Sequence, residues 1–142
     1  MPIQRVNYRL VRDLSAGSSK GGSVPANRFW TIIWGHVKYT STATPGKRFL
    51  VMRASLPGDP APLARTWAME PQEPGSVRRY QFFPGSVSGA GTHSAEVTYV
   101  ALPEQPLMFP GWTFSIEDSA NIDPNDHLEI RSIVILEERV TP

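Results

Sequence analysis

Fourteen prolines are spread along the 142 residues, and between them apolar residues recur at every second position over most of the chain. Proline removes a backbone donor and clashes with the preceding turn, so it breaks a helix interior. A period of two is the mark of a half-buried strand. Together these features exclude a long-helix architecture and predict an all-β chain.

Residues 3–14 alternate, with Val6, Tyr8 and Leu10 on one side and Arg5, Asn7 and Arg9 on the other. Residues 1–14 thus read as an N-terminal strand or arm with one buried face. Residues 15–27 (SAGSSKGGSVPAN) read as a flexible Ser/Gly loop. The segment RFWTIIWGHVKYT, 28–40, is the strongest strand, rich in aromatic and β-branched side chains. Further strands are expected at 47–56, 63–69, 77–83, 94–102, 112–118 and 127–138, separated by turn chemistry such as Thr44-Pro45-Gly46 and EPQEPGS. Residues 63–70 (LARTWAME) lack Gly and Pro and also fit a short helix. Eight short strands with Gly/Pro turns and several long connections predict a single domain over 1–142, an eight-stranded antiparallel β-sandwich of jelly-roll-like type.

Two strands break the alternation. Phe29, Trp30, Ile32, Ile33 and Trp34 place apolar groups on both faces, and so do the residues from Ile133 to Leu136. A strand with one face in water should alternate, so the second face needs a cover: a loop, an arm or another molecule. Trp30, Ile32, Trp34, Ile133 and Ile135 are therefore the candidate self-association residues, since Trp is enriched at interfaces.

The formal net charge of +1 conceals a division. Residues 1–65 carry ten Lys/Arg against Asp13 and Asp59, whereas residues 66–142 carry four Arg against eleven carboxylates. Such asymmetry points to a charged partner or to strands that interleave and average it out. Arg outnumbers Lys eleven to three, and Arg is the cation favoured at protein interfaces. Arg5, Arg9 and Arg12 on the first strand are the candidate contacts to an acidic protein surface.

The N-terminus, MPIQRVNYRLVRDL, has charges every few residues and resembles no signal peptide or anchor. No stretch approaches 18 apolar residues. The expectation is a soluble protein made in the cytoplasm, without a membrane partner.

Chemistry-bearing motifs are weak. With no Cys, thiolate metal sites, cysteine nucleophiles and disulfides are excluded. His36, His93 and His127 lack metal-ligand spacing, and His36 reads as a packing or surface residue. Gly17-Ser18-Ser19-Lys20-Gly21 spells a nucleophile elbow, but a loop follows where that motif requires a helix. Gly85–Gly91 lacks the Lys-Ser/Thr of a phosphate loop. The run Asp118, Asp123, Asn125, Asp126, Glu129 fits no calcium-loop spacing and is interrupted by Pro124; such residues commonly form side-chain-to-backbone turns. Stacking platforms for nucleic acid need exposed rings beside a basic groove, and the strands carry no RNA-binding signature. No catalytic, cofactor or metal residue is assigned, and a non-enzymatic role is expected.

The segment LPEQPLMFPGWTFSIEDSANIDPNDHLEIRSIVILEE, 102–138, has Pro110-Gly111-Trp112 opening a strand. An Asp118-Ser119-Ala120 turn, an Asp-rich loop and a long apolar last strand follow. With the Trp30–Tyr39 strand and its Thr-x-x-Pro-Gly turn, it resembles short β-sandwich proteins encoded among the virion genes of tailed bacteriophages. The resemblance implies a jelly-roll decoration (cement) protein on the capsid surface, partnered by the major capsid protein and by itself as a dimer or trimer. It supplies no site residues, because the class has no catalytic motif. The alternative is a carbohydrate- or receptor-binding module of a tail fibre, with Trp67 and Trp112 as the sugar platform.

Overall fold

The computed structural model describes residues 3–59, 62–67, 71–83, 97–102 and 108–141, with backbone alone at 3–5, 62–67, 140 and 141. Nine strands are present: β1 (Ile3–Asp13), β2 (Ser19–Ser23), β3 (Arg28–Thr40), β4 (Leu50–Ser55), β5 (Pro62–Trp67), β6 (Val77–Phe83), β7 (Val97–Ala101), β8 (Thr113–Asp118) and β9 (His127–Thr141). No helix occurs among the described residues, and 62–67 is a strand. Sequence positions 68–69, 84–96, His93 and the Gly85–Gly91 run lie outside the described residues.

The strands form two sheets, ordered β1-β9-β3-β6-β7 and β2-β8-β4-β5. Their inner faces share one core. Trp30, Val37, Tyr39, Tyr80, Phe82, Val100, Leu128, Ile130, Ile133 and Ile135 enter it from the five-stranded sheet, and Leu50, Met52, Phe114 and Ile116 from the other.

Two expectations need correction. The segment read as a flexible Ser/Gly loop contains β2, which pairs antiparallel with β8 and raises the strand count to nine. Its glycines serve close approach: a Cβ on Gly21 would collide with the Phe114 carbonyl oxygen, and one on Gly22 would press on the Phe114 ring at 3.0 Å. Composition alone reads such a stretch as linker, whereas the missing side chains are what admit the strand. The sandwich is also not purely antiparallel, because β6 and β7 run parallel. Their connection spans 84–96, and a dozen or more residues suffice for a crossover where a hairpin needs only a few.

On β9, Ile133 to Leu136 alternate regularly and are apolar on both faces, Ile133 and Ile135 inward and Val134 and Leu136 outward. The doubly apolar run of β3 has a local cause instead. The β3–β9 register shifts between Ile32 and Trp34 and again between His36 and Val37. A bulge inserts one residue and reverses which side chains point inward. Before the first bulge Trp30 is buried, and after it Gly35, Val37 and Tyr39 are. On β9, Leu128 and Ile130 are buried before the second shift and Ile133 and Ile135 after it.

Side-chain direction on β9 is testable. Ile133→Ala opens a cavity between the sheets and should cost about 2–5 kcal/mol. Val134→Ala, on the opposite face, should cost less than about 1 kcal/mol. Urea denaturation of the two variants compares them; equal losses would contradict the assigned register.

Candidate functional site

The two ends of the sandwich differ in chemistry. At one end a polar network ties the sheets together. Arg48, just before β4, and Asp126, just before β9, are fully buried and paired, with Nε–Oδ2 at 2.9 Å and Nη2–Oδ1 at 3.1 Å. The Tyr39 hydroxyl donates to Asp126 Oδ2 (2.9 Å) and the Thr42 amide to Oδ1 (2.8 Å). Arg48 also donates to the carbonyls of Thr44, Gly46 and Thr42. Gln72 bonds the Arg48 backbone in both directions, donates to the Tyr39 carbonyl and accepts from the Tyr80 hydroxyl. Burial pushes both tyrosine hydroxyls up and keeps them protonated donors. Burial alone would raise Asp126, but hydrogen bonds from Arg48, Thr42 and Tyr39 outweigh it and hold the carboxylate below its usual range.

The acidic run belongs to the same construction. Asp118 accepts from the amides of Phe49, Ala120 and Ile122. Asp123 accepts from the hydroxyls of Thr42 (2.5 Å) and Thr44 (2.6 Å) and from the Asn125 amide, which together lower its pKa to about 2. These oxygens are occupied by donors of the protein itself. The cavity above them, lined by Ser18, Tyr39, Asp118, Asn121, Asp123 and Pro124, measures about 100 Å³, below the roughly 300 Å³ of the smallest usual ligand sites.

The other distinctive region is the outer face of the five-stranded sheet. Val6, Tyr8 and Leu10 on edge strand β1 are 54%, 75% and 64% exposed. Their partners on β9 are Glu138, Leu136 and Val134, and β3 continues the rows with Phe29, Thr31 and Trp34. Phe83 on β6 stacks edge-on with Tyr99 on β7 at 5.5 Å. One half of the face is thus apolar, whereas the other carries His36, Arg79, Glu129 and Arg131. His36 sits between Trp34 and Arg79; burial first, then the charges of Arg79 and Arg131, push its pKa down.

The sequence placed these groups differently. Val6, Tyr8 and Leu10 were expected on a buried face, and the structure turns them to solvent. Arg9 instead turns toward the inner face, where its guanidinium lies 5.3 Å from the Trp30 ring centroid and 3.5 Å from Glu137. Trp30 Nε1 donates to the same carboxylate at 2.7 Å, and Arg28 approaches it at 3.5 Å. Arg12 is exposed, and the Arg5 side chain lies outside the described residues. Of the proposed self-association residues, Trp30, Ile133 and Ile135 are buried in the protein's own core and Ile32 packs against it. Only Trp34 reaches the outer face. Trp112 is half-buried against the core and stacks on Phe109 at 5.4 Å; the Trp67 side chain lies outside the described residues. The exposed β1 residues were missed because their signal is the pairing of β1 with β9, 128 positions away in sequence for Tyr8 and Leu136.

No family model and no curated protein matches the sequence. Among solved structures, a chain of infectious bursal disease virus, Gt strain, is similar at 9% identity with a TM-score of 0.33, over 99% of this chain and 38% of that one. The protein therefore spans well under half the length of that neighbour. No helix among the described residues is long and apolar enough to cross a membrane.

Asp126→Ala should cost about 3–5 kcal/mol, because it strands the buried Arg48 charge. The double variant Arg48→Met/Asp126→Leu should recover only part of that loss. It removes the stranded charge but leaves the Tyr39 hydroxyl, the Thr42 amide and the Thr42, Thr44 and Gly46 carbonyls unanswered. Carboxylates with lowered pKa stabilise fully above their ordinary value, 3.8 for Asp123, and lose that contribution as pH falls toward about 2. Acid unfolding should therefore set in below pH 4, and Asp123→Asn should flatten that limb of the stability–pH curve.

Proposed function

We propose that the protein is a non-enzymatic structural component of a virion. It attaches to the outside of a capsid through the outer face of the five-stranded sheet and bridges neighbouring major capsid subunits. The observation that carries this reading is the apolar strip of Val6, Tyr8 and Leu10 beside Leu136, Val134 and Trp34, open to solvent at a sheet edge. Soluble proteins seldom leave such a strip without a use in association.

The strand order supports the setting. Without β7 the sheets read β1-β9-β3-β6 and β2-β8-β4-β5. In this order β1 pairs with β9, β2 with β8, β3 with β6 and β4 with β5, as a long antiparallel ribbon rolled into two four-stranded sheets. This is the jelly-roll arrangement, with β7 added at an edge, and jelly rolls recur in viral capsids and lectins. Fold alone does not fix function, so the uncovered strip is what favours assembly. The half-buried Trp112 favours packing over a sugar platform.

Attachment is measurable by adding recombinant protein to purified particles that lack it and sedimenting the mixture. The wild type should co-sediment at a fixed ratio to the major capsid protein. Leu136→Glu should weaken attachment at least tenfold, about 1.4 kcal/mol, while Arg12→Glu tests the basic contribution with a smaller, salt-dependent loss. Unchanged occupancy of Leu136→Glu would overturn the proposal, as would binding to glycans in place of particles.

A further inference from the structure

We infer that β1 is a dimerisation strand: it pairs antiparallel with β1 of a second copy about a two-fold axis at Tyr8, joining two five-stranded sheets into one of ten. This rests on the outer face being an association surface, and it names the first partner of that surface.

The strand has an open edge. Among the described residues β1 pairs with β9 alone and ends its sheet. Alternate residues of a strand point their N–H and C=O groups to opposite edges, so half of those on β1 face away from β9. Natural edges of this length are blunted by charged side chains, Pro, bulges or a covering element. On β1 the inward charge of Arg9 is answered within the protein by Glu137 and the Trp30 ring. Here residues 3–10 contain no Pro, and the register shift falls only at Val11/Asp13.

The pattern of side chains selects a second copy and one register. A two-fold axis perpendicular to the sheet keeps the two outer faces on the same side. Centred on Tyr8, it sets Tyr8 opposite Tyr8, Val6 opposite Leu10, Arg9 opposite Asn7 and Arg5 opposite Val11. Every exposed apolar residue of β1 then meets an apolar one, and no like charges face each other. Neighbouring registers fail. Centring on Val6 or Leu10 sets Tyr8 against Gln4 or Arg12 and breaks the apolar row, whereas centring on Asn7 sets Arg5 against Arg9 and centring on Arg9 sets it against itself. Like charges directly opposite destabilise a strand pair.

Size fixes the strength. Eleven residues at about 3.4 Å each give an edge of about 35 Å, or roughly 700 Å² buried in total for a strip about 10 Å thick. That is below the ~1,200 Å² of permanent complexes, so the dimer is reversible and forms where copies are concentrated, as on a particle surface. The joined sheet doubles the apolar strip on one side and carries both four-stranded sheets on the other.

The absence of Cys makes the test clean. Directly opposite residues lie about 4.5–5.5 Å apart between Cα atoms, within disulfide range. Tyr8→Cys should form a covalent dimer under mild oxidation at high concentration. Val6→Cys and Leu10→Cys, each displaced about 14 Å from its own copy, should cross-link only when mixed. Light scattering of the wild type should show mass rising toward a dimer with concentration. Val77→Cys, exposed on β6, sets the random background. Cross-linking of Tyr8→Cys no greater than that background, or of Val6→Cys alone, would overturn the dimer. Loss of particle attachment in Leu136→Glu would still stand in that case, so the two readings fail separately.

Discussion

The Arg48–Asp126 pair is the fixed point on which the sandwich turns. Its partners come from both sheets and the loops between them: Tyr39 stands one residue before the end of β3, Arg48 leads into β4, Asp126 leads into β9, and Gln72 ties the segment before β6 to the Arg48 backbone. A buried ion pair is expensive to desolvate, so it stabilises only when every donor and lone pair is answered. Here the guanidinium meets Asp126, three backbone carbonyls and the Thr42 hydroxyl. What the pair supplies is position. It sets where four strands begin or end, and therefore the register from which each strand counts its inward residues.

From that register the two bulges follow their consequences outward. A strand of strict alternation from Tyr39 back to Phe29 would bury Ile33, Thr31 and Phe29 and expose Trp30. The shift between Ile32 and Trp34 reverses this and buries Trp30, whose indole then bonds Glu137. Glu137 in turn draws Arg9 and Arg28 toward the inner face. Once Arg9 points inward, the period of two on β1 obliges Val6, Tyr8 and Leu10 to point outward. The exposed apolar strip is thus a product of pairings made far from it in sequence.

This explains which features were legible in the sequence. Strand existence depends on local periodicity and turn residues, and β1, β3, β4, β6, β8 and β9 fall close to where the alternation puts them. Facing depends on register. Val6-x-Tyr8-x-Leu10 reads as a buried stripe, because nothing within the strand says that Glu137 waits opposite Arg9's face. The apparent double-faced apolar run in β3 was a true signal of something unusual, but its cause is a bulge that keeps one face inward on each side of the break. In β2, Gly21 and Gly22 admit a strand against Phe114, a close approach that composition cannot distinguish from flexibility.

The charge division acquires a physical reading at this level. β1 and β3 come from the basic half of the chain and β9 from the acidic half, and β9 lies between them. Part of the asymmetry is therefore neutralised within the sheet, through Arg9 and Arg28 on Glu137, and through Arg53 on Glu117 in the other sheet at 2.7 Å. A long-range attraction between basic and acidic surfaces thus has fewer free charges to work with than the sequence suggests. The groups left unanswered on β1 are mainly apolar side chains and backbone edge, which act at contact and with defined register. Recognition built from these is short-ranged and depends on geometry more than on ionic strength. Such recognition suits joining copies already brought together better than capturing a distant partner by charge.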